Sequence, residues 1–332
     1  MFETDLSNRL AIDVHLNSSG VLDTMAEDVR QGLSEDQKRL SPKYFYDAVG
    51  SDLFEQITDL PEYYPTRSER DLLLDIAAEL MAEIRPSDIV ELGSGSSAKT
   101  RALFDAPSTA SHLNRYVPFD ISESAVRATA NDLLVEYPFL NVHGVIGDFE
   151  HHLNKIPAPN GRRLILFLGG TIGNLDRDQR ITFLSNVRTL LRPEDRLLIG
   201  LDLVKDIKTI ESAYNDAAGI TAAFNRNMLK VINKGLVADF QPEAFQHRAF
   251  FNEEESRIEM HLVPDGLQQI SIAEIGMTLT VQPGETIWTE SSYKFTQEAV
   301  EEMLTSAGLG LEHFYANEQP DRRFGLILAR PL

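Results

Sequence analysis

The chain has 332 residues, no cysteine and a formal net charge of −20. Nucleic acid and anionic membrane surfaces select basic patches, so this balance excludes both as expected partners, and the missing thiols exclude disulfides, thiolate nucleophiles and cysteine-ligated zinc. A hydrophobic share of 42% with 25% charged residues is that of a globular protein with ample core for one large or two ordinary domains.

Residues 1–20 are polar and carry acids early, unlike a secretory leader, and no apolar run approaches the roughly 18 residues of a membrane helix. A cytoplasmic enzyme is the expectation. Residues 1–40 read as an exposed lead-in with one helix over 21–33. An aromatic cluster follows, Tyr44-Phe45-Tyr46, Phe54 and Tyr63-Tyr64, in segments that Pro42, Pro61 and Pro65 keep short. Loops rich in aromatic hydroxyls line small-molecule pockets or pack as a hydrophobic collar, and the residues alone leave both open. A helix over 68–84 then leads through Pro86-Ser87-Asp88 to Ile89-Val90-Glu91-Leu92-Gly93-Ser94-Gly95-Ser96-Ser97-Ala98-Lys99. Apolar run, acid, Gly-x-Gly and helix-forming run, in that order, predict strand, tight turn and helix start, where free amides favour polar or anionic groups.

Two nucleotide ligands compete for this turn. With Ala98 in the last position it also satisfies the dinucleotide fingerprint, and Asp120 stands where a ribose-binding acid belongs. Glu91 argues the other way. A carboxylate just before the first glycine repels a pyrophosphate and suits the sulfonium and ammonium of S-adenosylmethionine (SAM). SAM is therefore the expected ligand and NAD the alternative.

Further strands are predicted over 115–119, 142–146, 163–168 and 196–202, separated by helices that include 123–137 and 177–191. Apolar strands alternating with amphipathic helices mean a parallel sheet covered on both faces, with ligands beyond the carboxyl ends of the strands. Those ends carry Glu91, Asp120, Asp148, Asn174 and Asp202. The rhythm breaks at 203. A helical stretch over 206–236 and period-two segments over 254–262, 268–275, 277–281 and 286–293 predict an inserted antiparallel unit. A helix over 296–308 and strands over 311–315 and 324–328 then complete a seven-stranded sheet.

Acid-Leu-Gly-Ser-Gly, an acid at a second strand end and Gly147-Asp148-Phe149 at a third resemble the class I SAM-dependent methyltransferases. The detailed match is narrower. Lys43-Tyr44-Phe45-Tyr46-Asp47, Leu60-Pro61-Glu62-Tyr63-Tyr64-Pro65-Thr66-Arg67, Thr171-Ile172-Gly173-Asn174-Leu175, Phe224-Asn225-Arg226-Asn227 and Arg257-Ile258-Glu259-Met260 resemble the histidine Nα-methyltransferases of ergothioneine biosynthesis. The resemblance spans roughly residues 25–330. It implies an α/β fold: a seven-stranded class I methyltransferase (Rossmann-like) sheet with an inserted α+β substrate-binding lobe. The methyltransferase domain is expected at 28–202 and 294–332, and the substrate-binding lobe at 1–27 and 203–293. The implied reaction is stepwise transfer of three methyl groups from SAM to the α-amine of L-histidine, through mono- and dimethyl intermediates. Its product is hercynine, the first step of ergothioneine biosynthesis, made by a monomer without a metal.

Carried over by motif, SAM is expected at Gly93, Lys99, Asp120, Asp148, Phe149 and Gly169. Histidine is expected at Tyr46, Tyr63, Asn174, Tyr214, Met260, Glu290 and Ser292, with Tyr46 and Asn174 at the reacting amine. Gly169-Gly170 departs from an expected Gly-Ser, and the residues around Ser292 also vary. The alternatives are a NAD-dependent oxidoreductase, a member of the same family acting on another amino acid, and a SAM-binding sensor without catalysis.

The chemistry fits these residue types. Displacement at a sulfonium methyl needs an unprotonated amine held about 3 Å away and in line. An ionised Asp120 accepts from paired ribose hydroxyls. Asp148 either accepts from the adenine amino group, beside Phe149, or caps a helix. Asn174 offers a donor and an acceptor without adding charge. Glu290 and Ser292, two apart on a strand, are expected to share one face with Trp288, and a carboxylate there accepts an imidazole N–H. The eight histidines are scattered, and His151-His152 point apart, so no metal site is expected.

Overall fold

Eight strands form one sheet in the order β1-β4-β3-β2-β5-β6-β13-β12. They are β1 (Leu10–Val14), β2 (Asp88–Leu92), β3 (Arg115–Asp120), β4 (Asn141–Ile146), β5 (Arg163–Phe167), β6 (Arg196–Asp202), β12 (Leu309–Ala316) and β13 (Phe324–Pro331). The computed structural model describes residues 6–16, 18–149, 151–317, 319–320 and 323–332. β1 to β6 pair in parallel, and β13 runs antiparallel between β6 and β12. Seven of these strands are the expected sheet.

Alternation within each strand explains the layers. Val90, Leu92, Val117, Phe119, Ile165 and Phe167 point to one face, where α6 (Arg177–Arg188) and α9 (Gln297–Ser306) cover them. Ile89, Tyr116, Leu164 and Leu166 point to the other, under α3 (Tyr64–Ile84), α4 (Arg101–Phe104) and α5 (Glu123–Glu136). A strand buried on both faces reads as a continuous apolar run, as β5 does. The chain leaves β2 toward β3 and later resumes on its other side at β5, so the sheet reverses direction there. The crevice beyond the carboxyl ends of β2 and β5 is where such a fold takes a ligand.

A second core lies apart from the sheet. It joins α1 (Ser18–Ser34), α2 (Ala48–Thr58), α7 (Ile207–Tyr214) and α8 (Ile220–Leu236) to five strands. These are β7 (Phe245–Asn252), β8 (Arg257–Pro264), β9 (Gln268–Ile272), β10 (Met277–Val281) and β11 (Ile287–Tyr293), arranged as β11-β8-β7 and β10-β9. The inserted unit is thus helical first and antiparallel after, as its patterning predicts.

The boundary near residue 28 differs from expectation in both directions. β1 belongs to the large sheet, paired with β4 from Leu10↔Val142 to Val14↔Ile146. Arg9 anchors it, donating to the carbonyls of Leu134 and Leu140 at 2.8 and 2.9 Å, in and just beyond the last turn of α5. Conversely, Met25, Val29, Leu33, Tyr44, Phe45, Ile57 and Tyr63 pack in the second core with Phe224 and Met228. The amphipathic face of α1 and the aromatic cluster find their apolar partners there, not on the sheet. Residues 1–5 and Asn17 of this lead-in lie outside the described residues.

Candidate active site

The sheet side of the crevice is built mainly from backbone. Gly93 and Gly95 turn with φ of +71° and +48°, and a Cβ on either would meet nothing within 4 Å. Such a turn is open to a ligand and costs little only for glycine. Gly93 N–H donates to Phe119 O at 2.8 Å, tying the turn to β3. Asp120 completes the tie: its two carboxylate oxygens accept from Gly95 N and Ser122 N, each at 2.9 Å. Each oxygen keeps a lone pair for a further donor. Burial pushes the Asp120 carboxyl above its ordinary range, and the Ser122 and Gly95 amides pull it back. After β4, half-buried Asp148 lies 4.0 Å from Lys43 Nζ, and the Phe149 ring is braced edge-on by Phe167 and Phe183 at 5.9 and 5.4 Å.

Glu91 does not face the crevice. Its oxygens are taken by Thr100 Oγ1 at 2.7 Å and by the Tyr116 hydroxyl, so it supports the turn from beneath. Burial lifts its carboxyl to about 7 against the pull of both bonds. Glu91, expected at the positive end of SAM, spends a hydrogen bond at each oxygen on the scaffold of the turn. Fully buried Glu69 on α3 is a second acid, which sequence reasoning missed. It accepts from Gly169 N at 2.7 Å and pairs with Lys99 Nζ. A Cβ on Gly200 would lie 1.8 Å from Glu69 Oε1, so only glycine leaves room for it. The available signal was its register: Glu69 falls three and four residues before Leu72 and Leu73 on the buried stripe of α3.

The other side is built from side chains. After Gly169 (φ +81°) and Gly170 (φ +69°), a short 3-10 turn, Thr171–Asn174, presses against β11, where a Cβ on Gly173 would come 3.0 Å from Tyr293 O. This seats Asn174, whose Nδ2 donates to Glu290 Oε1 at 2.9 Å and to Ser291 O at 2.8 Å. Both amide hydrogens are spent, so what Asn174 has left to offer is its carbonyl oxygen, an acceptor. Burial lifts Glu290 to about 7, with Asn174 and Lys294 pulling it down.

Across the ladder Glu290 faces Met260 and Ser292 faces Ile258. Trp288 does not share that face. A bulge between Trp288 and Glu290 resets the alternation, so Trp288 pairs with His261, stacks on its ring at 5.7 Å and lies under Arg39 and Arg257. Buried Thr289 holds the bulge, its hydroxyl meeting Asn225 Oδ1 at 2.7 Å and Met260 O at 3.0 Å.

Tyr214, at the end of α7, donates its hydroxyl to Ser292 Oγ at 2.8 Å. Tyr63 packs edge-on against Tyr214 at 6.3 Å, and Tyr46 against Phe54 and Phe224 at 5.7 and 5.8 Å. Tyr46 is 43% exposed, yet surrounding protein and then Glu290, Tyr214 and Asp120 push its phenol well above the ordinary range. A side chain enclosed by protein and still reached by water lines a concavity.

A family description of histidine-specific, SAM-dependent methyltransferases matches residues 25–331. The chain belongs to that family. Over 320 residues it is 47% identical to a histidine N-alpha-methyltransferase of Mycolicibacterium smegmatis, spanning 96% of this chain and 99% of that one. A protein of the same name from Mycobacterium tuberculosis is 46% identical, spanning 97% of this chain and 99% of that one. Ergothioneine biosynthesis protein 1 of Neurospora crassa is 32% identical over 85% of this chain, which spans only 32% of that larger protein. SAM is thus the co-substrate of this methyltransferase, and NAD is set aside. The residues present suit it: an open glycine turn, an acid with spare lone pairs at the next strand end, and a braced phenyl ring.

Among the described residues of the methyltransferase, no group of three or more histidine or acidic side chains could hold a metal, and no helix is long and apolar enough to cross a membrane. Asn225 and Asn227, in the motif on α8, serve the scaffold. Asn227 donates to Asp47 Oδ1 at 2.8 Å, and Asp47 caps α2 through Gly50 N at 2.8 Å, which fixes the loop bearing Tyr46.

Behind the side-chain half of the site lies a buried charge cluster that sequence reasoning also missed. Asp202 accepts from Tyr64 OH at 2.6 Å, from Lys294 Nζ at 3.0 Å and from Lys205 Nζ. Lys294 continues the alternation of Glu290 and Ser292, which was the signal available for it.

Proposed function

We propose that this methyltransferase converts L-histidine to hercynine by three successive transfers to the α-amine, as the first step of ergothioneine biosynthesis. The observation that carries the residue assignment is the Asn174–Glu290 hydrogen bond. It joins the turn after β5 to β11 of the second lobe, so one side chain touches both the donor crevice and the group that reads the substrate.

SAM supplies a methyl already activated on a sulfonium. Gly93, Gly169 and Lys99 form its cradle, Asp120 accepts its ribose hydroxyls, and Asp148 with Phe149 receives the adenine. The chain's remaining work is to place the amine. Asn174 accepts from the amine through its carbonyl oxygen, since its N–H groups are already committed. Tyr63 and Tyr214 keep their protons because burial raises both phenols. Tyr63 therefore donates to the substrate carboxylate or to water, Tyr214 donates to Ser292 Oγ, and neither is a phenolate base. The amine proton leaves through the open side of the cleft, where Tyr46 meets solvent. Glu290 with Ser292 reads the imidazole, and Met260 sets the width beside the ring.

The two-lobed arrangement, a monomeric state, a cytoplasmic location and retention of the mono- and dimethyl intermediates belong to the same reading. Mass spectrometry of L-histidine incubated with SAM and the protein is the test. Histidine carrying one, two and then three added methyl groups, converging on the trimethyl product, is expected. Unchanged histidine alongside a methylated different amino acid would overturn it.

A further inference from the structure

The ammonium of Lys294 is wholly shielded from solvent, and its three hydrogens have three partners: Ser292 Oγ at 2.8 Å, Tyr214 OH at 3.1 Å and Asp202 Oδ2 at 3.0 Å. Tyr214, which accepts from Lys294, passes its own proton to Ser292 Oγ at 2.8 Å. A serine hydroxyl has two acceptor sites and one donor. Both acceptor sites of Ser292 are therefore filled from behind, by Lys294 and by Tyr214. Its hydrogen can go only forward.

Asp202 holds this polarity in place. One of its oxygens takes Lys294 and Tyr64, and the other takes Lys205. Burial pulls the Lys294 ammonium down, and Tyr214 and Asp202 more than offset it, so it stays charged and donating. On the same face of β11, Glu290 presents a carboxylate, which only accepts when ionised.

We propose that Lys294 is a positioning residue that determines specificity by forcing the Ser292 hydroxyl to donate. The site then takes a neutral ring bearing one N–H, for Glu290, and one bare nitrogen, for Ser292. A ring with two N–H groups, or with N–H alone, leaves a buried donor facing a donor or nothing. This rests on the reading that Glu290 and Ser292 meet the substrate side chain.

The test uses L-histidine and its two pyrrole analogues, β-(pyrrol-2-yl)alanine and β-(pyrrol-3-yl)alanine. Each keeps one ring N–H and replaces the acceptor nitrogen with C–H. Binding is measured calorimetrically with S-adenosylhomocysteine present. The parent should prefer histidine over the better pyrrole by on the order of 100-fold or more, the scale for a site left with an unpaired buried group. In Lys294→Met, Ser292 is free to turn, and that ratio should fall about tenfold or more while affinity for S-adenosylhomocysteine holds. Equal weakening of histidine and pyrrole, with the ratio kept, would show a merely structural lysine and overturn the proposal. Should Lys294→Met fail to fold, Tyr214→Phe removes the other bond to Ser292 and keeps the Lys294–Asp202 pair. The ratio must fall there too, and an unchanged one overturns the proposal. Ser292→Ala separates the two layers: an unchanged ratio there means Ser292 does not meet the ring, so the site reading itself fails.

Discussion

The two halves of the crevice are made of different material. On the sheet side, the crevice is lined by turns at strand ends, with glycines leaving open space and single acids tying one turn to the next. On the side of the second lobe, the working groups are side chains whose partners are each already assigned, down to the last hydrogen on Asn174 and Lys294. A site made of backbone binds what all SAM-dependent enzymes share. A site made of committed side chains can discriminate, because a wrong ligand strands a buried partner.

If this contrast is right, damage on the second-lobe side changes which amino acid is accepted, while damage on the sheet side weakens the donor uniformly. The largest effect is expected for Glu290→Ala. It should lower kcat/KM for histidine by on the order of 10² to 10⁴, with SAM affinity kept. Adding Met260→Val should admit larger aromatic amino acids such as tryptophan, read by competition between histidine and tryptophan for methylation. A double variant as selective as the parent would break the comparison.

Asp120→Ala comes next. Loss of hydrogen bonds to a charged group should weaken SAM binding by roughly 1.5–3 kcal/mol, measured calorimetrically, without altering the order of preference among amino acids. Glu69→Gln is expected to be milder. Lys99 loses its counter-charge while the Gly169 amide keeps an acceptor, so SAM affinity should drop by roughly tenfold or less. No change would show that Lys99 is placed by something else.

The last effect concerns stability. Burial raises the folded-state carboxyl of Glu290 from 4.5 to about 7, so ionising it disfavours the fold. The penalty is absent below pH 4.5, grows as pH rises through that window and is complete above about 7. Glu290→Gln should therefore leave Tm nearly unchanged at pH 4.5 and stabilise the ligand-free enzyme at pH 8. The gain should be roughly 1–2 kcal/mol, reduced by the partial exposure of the cleft. Equal stability of parent and variant at both pH values would mean that Glu290 is better solvated than the cleft suggests.

The strands of the parallel sheet were legible because each is buried on both faces and must be apolar throughout. The strand ends at Asp120 and before Asp148 were legible from the same apolar runs, and the roles expected of those acids came from the family resemblance. β1 was not legible, since five half-exposed residues at an edge carry too little pattern to separate them from a loop. Trp288 was assigned to the wrong face because one extra residue in β11 inverts the alternation, and the hydrogen bonds of Thr289 that hold the bulge are long-range. Glu69 and Lys294 were missed for a common reason. A charged residue turned into the protein looks like an exception until its partner is known, and those partners, Lys99 and Asp202, lie 30 and 92 positions away.

The docking of β1 has a consequence for assembly. Its partner β4 comes roughly 130 residues later in the chain, so the first strand of the sheet to be synthesised must wait for most of the donor-binding half before it can pair. Contacts so distant in sequence form late. Until then β4 presents an unpaired parallel edge, the kind of surface that recruits other chains. Arg9, held by the carbonyls of Leu134 and Leu140, anchors the segment once it has paired, and β1 then becomes the outer strand on that side. The edge left to solvent is thereby only five residues long and carries exposed Asp13, and a short charged strand is a poorer template for another chain.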